Sequence, residues 1–144
     1  MDIVGEGWWH EQLVAHADSL GLGDAVTFHG RVSDDERDRL LDRAWVLLVP
    51  SVKEGWGIAI MEAAAHGVPA VAYATAGGVR ESIVDGETGW LVEDAAGLEK
   101  RTEELLTDAP LRGWMSDNAR RHAAGFDWLT TSRRFAEVLT GLGY

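Results

Sequence analysis

The stretch WVLLVPSVKEGWGIAIMEAAAHGVPAVAYAT, residues 45–75, contains two apolar runs separated by a glycine turn and an alanine-rich segment. The first run, residues 45–51, is continuously apolar, as expected of a parallel strand that is covered on both faces. The alanine-rich segment predicts a helix over roughly 57–66, because Gly67 stops it and Pro69 prevents its resumption. Residues 69–75 then form a second buried strand. The stretch therefore predicts one β-α-β unit with a right-handed crossover.

Similar segments flank this unit on both sides. Short strands are predicted at residues 2–7, 25–30 and 89–93. One helix is predicted over 8–20, and another begins after Ser33, which is its N-cap with Glu36 in the capping-box position. Three more helices are predicted over 96–107, 110–124 and 129–141. The alternation predicts an α/β fold, a Rossmann-like parallel sheet with flanking helices, in a single domain of residues 1–144.

The amino-acid composition indicates which partners and which cellular compartment to expect. Hydrophobic residues make up 46% and charged residues 26%, as in ordinary globular proteins. A formal net charge of −11 disfavours nucleic acid as a partner, because phosphate binding requires clustered lysine and arginine. The absence of cysteine excludes disulfides and fits a reducing cytoplasm. No signal peptide or membrane-spanning run is visible, so we expect a cytoplasmic protein.

Glycine turns follow the predicted strands. Ligands of parallel sheets bind at the carboxyl ends of strands, which here are residues 5–7, 30–31, 51–57 and 75–80. Gly55 and Gly57 let the backbone approach a ligand closely and aim the amides of Gly57 and Ile58 at it. Because a helix N-terminus is partly positive, this turn suits a phosphate or a sugar hydroxyl.

Two glutamates bracket that turn, Glu54 before the helix and Glu62 within it. A carboxylate accepts two hydroxyl protons, which suits a ribose or hexose diol. The structural alternative stays open for each residue, since a glutamate before a helix favours the dipole and one within a helix commonly faces water. Glu62 nevertheless lies among neighbours expected to be buried, and a charge in such surroundings needs a polar partner. Those neighbours are Ile58, Ile60, Met61 and Ala63–Ala65.

Other polar and aromatic residues give weaker signals. In the second glycine turn, around Gly77 and Gly78, Arg80 either adds a positive charge or lies on the surface. Trp56 either packs beneath a ligand or shapes the loop, and most of the seven tryptophans are expected in packing.

The sequence shows neither a zinc-binding histidine pair nor the motif of a serine hydrolase. His10 and His16 are six residues apart, so they do not share a helix face as two zinc ligands would. No G-x-S-x-G elbow is present, which disfavours a serine hydrolase.

The turns and strands together carry a family resemblance. The carrying features are the Glu-x7-Glu pair, the Glu-Gly-aromatic-Gly turn, EAAAHGVPAVA at 62–72 and GGVRESIVDGETGWLV at 77–92. IVGEG at 3–7, VTFHGRVSDDE at 26–36 and FDW at 126–128 add to them. In this order the blocks resemble retaining GT-B glycosyltransferases of family 4, over nearly the whole chain. The fold implied is the C-terminal half of a GT-B fold that lacks its first strand.

The resemblance implies a domain that binds a nucleotide-sugar donor, such as a UDP- or GDP-hexose, with no cofactor and no metal. Glu54 would be the catalytic residue, in the sense of positioning hydroxyls of the transferred sugar, and Glu62 would hold the ribose. Arg31 and Val32 would lie beside the base. The full implied set of donor-binding residues is Gly55, Trp56, Gly57, Ile58, Glu62, Gly5, Arg31 and Val32.

The resemblance also implies a retaining hexosyl transfer in which the leaving phosphate helps to deprotonate the acceptor. The N-terminal acceptor domain and the strand that carries an Arg and a Lys for the diphosphate have no counterpart here. We therefore expect a fragment that is inactive alone, with an exposed sheet edge open to self-association. The acceptor stays unknown, and a membrane-peripheral location stays open for the full-length enzyme.

Two alternatives remain beside the transferase. One is a non-catalytic module that kept the fold and binds a nucleotide sugar or a partner, which the missing Arg and Lys favour. The other is a different GT-B enzyme, such as a sugar-nucleotide epimerase, which the Glu-Gly-aromatic-Gly turn disfavours.

Overall fold

Two parallel sheets carry the fold. The computed structural model describes residues 1–141, and within this range the strands form a two-stranded and a three-stranded sheet. The chain divides into two compact units between Arg43 and Ala44, and each sheet lies in one unit. The domain predicted over 1–144 includes positions 142–144, which lie outside the described residues.

The first unit is a small β-α-β-α segment. Strand β1 (Asp2–Val4) is followed by helix α1 (His10–Ser19), and strand β2 (Thr27–Gly30) by helix α2 (Asp34–Arg43). The two strands pair in parallel. The predicted N-cap of α2 is confirmed, since the amide of Glu36 donates to Ser33 Oγ at 3.3 Å. None of residues 1–43 is fully buried, so this unit has no closed core of its own.

A hydrogen bond ties the two strands of the first unit together through their side chains. His29 Nε2 lies 2.7 Å from Asp2 Oδ1. This hydrogen bond, with a smaller contribution from the charge of the imidazole, holds the pKa of Asp2 below its usual value.

The second unit contains the β-α-β unit that the sequence predicts. Strand β3 (Leu47–Val49), helix α3 (Ile58–Ala65) and strand β4 (Ala70–Tyr73) follow one another. A short helix α4 (Val79–Ser82) then leads to strand β5 (Gly89–Val92). The strand order is β3-β4-β5 and both pairings are parallel, so β4 is the central strand.

Three helices complete the second unit. They are α5 (Ala95–Thr107), α6 (Ala109–Ala123) and α7 (Trp128–Gly141). Asp94 caps α5 by accepting from the amide of Gly97 at 2.8 Å, and Asp108 caps α6 by accepting from Leu111 at 2.9 Å. No helix within residues 1–141 has the length and apolarity that crossing a bilayer requires.

The core lies on both faces of the three-stranded sheet. One buried cluster is built around Ala72, Ile60 and Val79, and Leu47 and Val49 of β3 pack against it. The other is formed by Val71, Val92, Leu105 and Met115, with Leu48 packed against it. Successive β3 side chains therefore contact opposite layers, which confirms a strand covered on both faces. They are only half-buried, because β3 is an edge strand of this sheet.

The expectation that most tryptophans would be packed is wrong. Trp8, Trp9, Trp45, Trp114 and Trp128 are exposed. An indole is too large to be enclosed by small units such as these, and part of it is polar. Trp45 illustrates the compromise, because the guanidinium of Arg112 lies 4.2 Å above its ring centroid while the residue stays on the surface.

Candidate functional site

The sheet of the second unit brings two glycine turns to one edge. Strands β3 and β4 run parallel with Leu47 opposite Ala70 and Val49 opposite Ala72. The segments that follow them therefore leave from the same edge, where ligands of parallel sheets bind. The first segment leads through residues 54–57 into α3, and the second through residues 74–78 into α4.

The two turns are joined by backbone contacts. The amide of Glu54 donates to the carbonyl of Ala76 at 2.7 Å, and Glu54 forms an isolated parallel bridge with Gly77. Gly78 lies directly against the first turn, because a Cβ placed on it would be 2.6 Å from the carbonyl carbon of Gly55 and would overlap its oxygen. The first turn thus lies on the second as a short continuation of the sheet.

The N-terminus of α3 is open to a ligand. Gly57 is its N-cap in the left-handed region, with φ of +84°, and no side chain caps this end. Ile58, the first helical residue, is 68% exposed. Because the first amides of a helix lack partners within it, this end presents donors and a partial positive charge. It can therefore hold an anionic group.

The structure places the two glutamates on either side of this helix end. Glu54 is half-buried, and its carboxylate makes no hydrogen bond or ion pair within residues 1–141. Glu62 is the fifth residue of α3, about 6 Å along the axis from Ile58, and it is also half-buried. Neither side chain is fully exposed to bulk solvent.

The expected burial of the neighbours of Glu62 is partly wrong. Ile60, Met61, Ala63 and Ala64 are buried, but Ile58 and Ala65 are exposed. Ile58 stands at the open end of the helix, and the helix buries only the face that packs on the sheet and α6. The charge of Glu62 therefore lies at the border between the buried face and solvent.

Trp56 packs against protein. Its ring centroid is 5.2 Å from that of Phe126, which in turn lies 5.1 Å from His122. A shallow hollow of about 280 Å³ beside it is lined by Trp56, Phe126, Trp128 and Thr131. Of the two roles open for this residue, these contacts favour shaping the loop.

Arg80 lies on the surface and supports the second turn. Its Nε donates to the carbonyl of Ala74 at 3.2 Å. The side chain thus ties α4 to the end of β4, which is the structural alternative for this residue.

Gly5, Arg31 and Val32 lie in the first unit. The amide of Gly5 donates to the carbonyl of Gly30 at 2.8 Å, at the carboxyl ends of β1 and β2. Arg31 Nε lies 3.3 Å from Glu6 Oε2, with both side chains exposed, and Val32 is half-buried. These three residues and Glu54–Glu62 are thus found in separate units.

A metal ion in a protein is bound by a group of side chains such as those of His, Asp and Glu. Within the described residues, no three His, Asp or Glu side chains are grouped closely enough to hold one.

The sequence and the fold match one enzyme family. Residues 1–122 match the family of glycosyl transferases group 1. The chain belongs to this family. Among curated relatives, the D-inositol 3-phosphate glycosyltransferase of Corynebacterium diphtheriae is 37% identical over 130 residues, which are 89% of this chain and 30% of that enzyme. The chain thus spans 30% and 28% of the length of two curated relatives that it matches.

Solved structures of similar proteins confirm the fold class. The Anabaena protein HepE, crystallised with UDP and glucose, gives a TM-score of 0.82 at 28% identity, over 97% of this chain and 40% of that one. Sucrose-phosphate synthase from Thermosynechococcus elongatus gives 0.84 at 26% identity, over 98% of this chain and 38% of that one. The predicted α/β fold with parallel sheets and flanking helices, as in C-terminal domains of GT-B glycosyltransferases, is therefore confirmed.

Two residues of this region were not singled out from the sequence. Ser82 is buried in α4 and its Oγ donates to the carbonyl of Trp56. Phe126 lies in the turn between α6 and α7 and packs on Trp56. A serine in a short helix carries no signal of its own, because the bond depends on how the two turns are folded together.

Proposed function

We propose that this chain is the donor-binding half of a retaining hexosyltransferase of family 4 type, and that it binds a nucleotide-diphospho-sugar such as a UDP- or GDP-hexose. The observation that carries the proposal is the uncapped N-terminus of α3, which lies at the carboxyl edge of the sheet directly after the half-buried carboxylate of Glu54. A diphosphate and a sugar need these two kinds of group, amide donors and a hydroxyl acceptor, side by side.

Each predicted residue takes a role in this proposal. The backbone from Gly55 to Ile58 faces the sugar and the diphosphate, and Glu54 accepts hydrogen bonds from hydroxyls of the transferred sugar. Glu62 holds the ribose. Gly5, Arg31 and Val32 are proposed contacts of the nucleotide.

The proposed reaction moves the hexosyl group from phosphate to an acceptor hydroxyl. The acceptor oxygen bonds to the anomeric carbon on the face that the diphosphate leaves, and the bond from that carbon to the phosphate oxygen breaks. The acceptor proton passes to an oxygen of the leaving diphosphate, so the products are a glycoside and a nucleoside diphosphate. Amide donors at the start of α3 stabilise the negative charge that develops on the leaving group. No protein nucleophile and no metal ion is required.

The relatives support the class of donor. HepE was crystallised with UDP and glucose and also with UDP-glucose. The curated relatives named D-inositol 3-phosphate glycosyltransferase are glycosyl-transferring enzymes by name. Both observations favour a nucleotide sugar as the ligand of the α3 N-terminus.

Isothermal titration of the full-length protein with UDP, UDP-glucose and GDP-mannose tests the proposal. We expect one of the two nucleotide sugars to bind. Glu62→Gln should weaken binding of the nucleotide about tenfold, because a hydrogen bond to a charged acceptor is lost. Glu54→Gln should leave nucleotide binding nearly unchanged and lower kcat for sugar transfer by about a hundredfold, since positioning of the sugar is lost. Glu99→Gln, an exposed change on α5, is the matched control.

The outcomes separate the competing functions. Equal nucleotide affinity of the wild type and Glu62→Gln would remove the ribose role. Donor binding without any transfer to acceptors, in the presence of the acceptor half, would favour the non-catalytic module. Conversion of the nucleotide sugar to its epimer would favour the epimerase.

A further inference from the structure

We infer that Ser82 is a positioning residue of the proposed donor site, which selects one of two orientations of the peptide between Trp56 and Gly57. The inference rests on the proposed function. Ser82 is only 1% exposed, and its hydroxyl donates to the carbonyl of Trp56 across 26 residues of sequence. It is one of two buried polar residues among the described part of the chain.

The turn that Ser82 contacts is fixed at both ends but not in the middle. Glu54 is held by its hydrogen bond and bridge to the second turn, and from Ile60 onwards the amides donate within α3. Gly55 is confined by the close approach of Gly78. The remaining peptide, between Trp56 and Gly57, has the Ser82 hydroxyl as its partner.

This peptide has two accessible orientations because of Gly57. A peptide unit is planar and trans, so its carbonyl and its N–H point in opposite directions. Turning the peptide over would carry φ of Gly57 from +84° to a negative value, and glycine adopts both. Gly57 therefore does not prevent the turned-over form, and the Ser82 hydroxyl supplies the preference.

The orientation of this peptide determines the direction in which the N–H of Gly57 points at the start of α3. When the Trp56 carbonyl is held by Ser82, the Gly57 N–H points away from α4. In the other orientation the carbonyl, an acceptor with a partial negative charge, would take the place of that N–H. An anionic diphosphate is attracted by the first arrangement and repelled by the second.

A matched pair of variants separates positioning from simple stability. Ser82→Ala and Thr88→Val each remove one buried hydroxyl with little change in shape. Thr88 is 6% exposed, and its Oγ1 accepts from the amide of Val84 at 2.9 Å, in the turn before β5. Both variants should lower Tm of the full-length protein by a few degrees, because each leaves a partly buried backbone group without its hydrogen-bond partner.

Only Ser82→Ala should weaken binding of the nucleotide. We expect its Kd for UDP, measured by calorimetry well below Tm, to rise about tenfold, while Thr88→Val keeps the wild-type value. The amide resonance of Gly57 should shift in Ser82→Ala and not in Thr88→Val. Ser82→Cys, which keeps a weak donor, should lie between the wild type and Ser82→Ala, and it replaces the alanine variant if that one does not fold.

Three results decide the matter. Wild-type affinity in a folded Ser82→Ala protein overturns this inference alone, and so does an equal loss of affinity in Thr88→Val. A wild-type protein that binds neither nucleotide nor nucleotide sugar overturns the proposed function and this inference together.

Discussion

Gly78 shows that a position can require glycine because a side chain would clash, and not because of its backbone dihedral angles. Its φ of −63° and ψ of −8° are open to any residue. Only glycine allows the close contact between this position and the first turn, because a Cβ would overlap the carbonyl oxygen of Gly55. Gly113, inside α6, has the opposite character, because a Cβ there would meet nothing within 4 Å.

These two glycines give a matched prediction at the scale of the residue. Gly78→Ala should destabilise the protein by about 2–3 kcal/mol, because backbone of the first turn must move to admit the methyl group. Gly113→Ala should stabilise it by about 0.5–1 kcal/mol, because alanine loses less entropy in a helix. Urea unfolding followed by circular dichroism measures both changes. A neutral Gly78→Ala would show that the two turns are not packed against each other.

The candidate site residues that the sequence can identify are those that lie close together along the chain. Glu54, Gly57 and Glu62 are separated by few positions, so the strand-turn-helix pattern alone places them around one helix end. Ser82 and Phe126 act on that turn from distant parts of the sequence. Both lie within motifs that carry the family resemblance, but their contacts with Trp56 depend on tertiary packing, which a local pattern does not show. The exposure of Ile58 was likewise missed, because apolar type alone does not reveal which side of a helix end is open.

At the scale of the element, helices were predicted more closely than strands because caps mark their ends. Two such ends were predicted from Ser33, which caps α2, and from Gly67, which follows α3 with φ of +74°. The apolar run 45–51 is longer than β3, which covers only Leu47–Val49. A strand extends only as far as its neighbour pairs with it. The sequence of the strand alone therefore does not predict where it ends.

The N-terminus of α7 carries a prediction of pH dependence. Asp127 Oδ1 accepts from the amide of Thr130 at 2.8 Å, and Oδ2 from the Thr130 hydroxyl at 2.7 Å. These bonds, the backbone one foremost, favour the ionised form and lower the pKa of Asp127 below 3.8. The cap therefore stabilises α7 in full above about pH 3.8, and its contribution is lost as pH falls through the lowered pKa of the folded state.

Nuclear magnetic resonance tests this prediction directly. The carboxyl carbon of Asp127 should titrate below pH 3.8, and the amide of Thr130 should lose protection from exchange over the same range. In Asp127→Asn, whose amide oxygen still caps but does not titrate, protection of Thr130 should no longer follow that curve. A wild-type titration at or above 3.8 would contradict the cap.

At the scale of the whole molecule, the order of strands and helices could be predicted, but one parallel sheet was expected from the sequence where the described residues form two. Alternating strands and helices fix parallel pairing and crossover connections. Which strands pair depends on what lies beside each edge, and the sequence of an edge strand resembles that of a central one. The buried residues are the clearest result of this division, since all of them lie in the second unit.

This uneven burial leads to a prediction about local stability. In the first unit β1 and β2 form a two-stranded sheet whose residues are all at least partly exposed, and such sheets are marginally stable. In the second unit Ala70, Val71 and Ala72 of β4 are buried and paired on both edges. Amides of β2 should therefore exchange with solvent at least about 100-fold faster than those of β4 in the 144-residue chain, as followed by mass spectrometry of peptic fragments. Asp2→Asn, which weakens the bond to His29, should accelerate exchange in β2 and leave β4 unchanged, because the bond lies within the first unit. Equal protection of β2 and β4 would mean that the first unit is stabilised by more than its own packing.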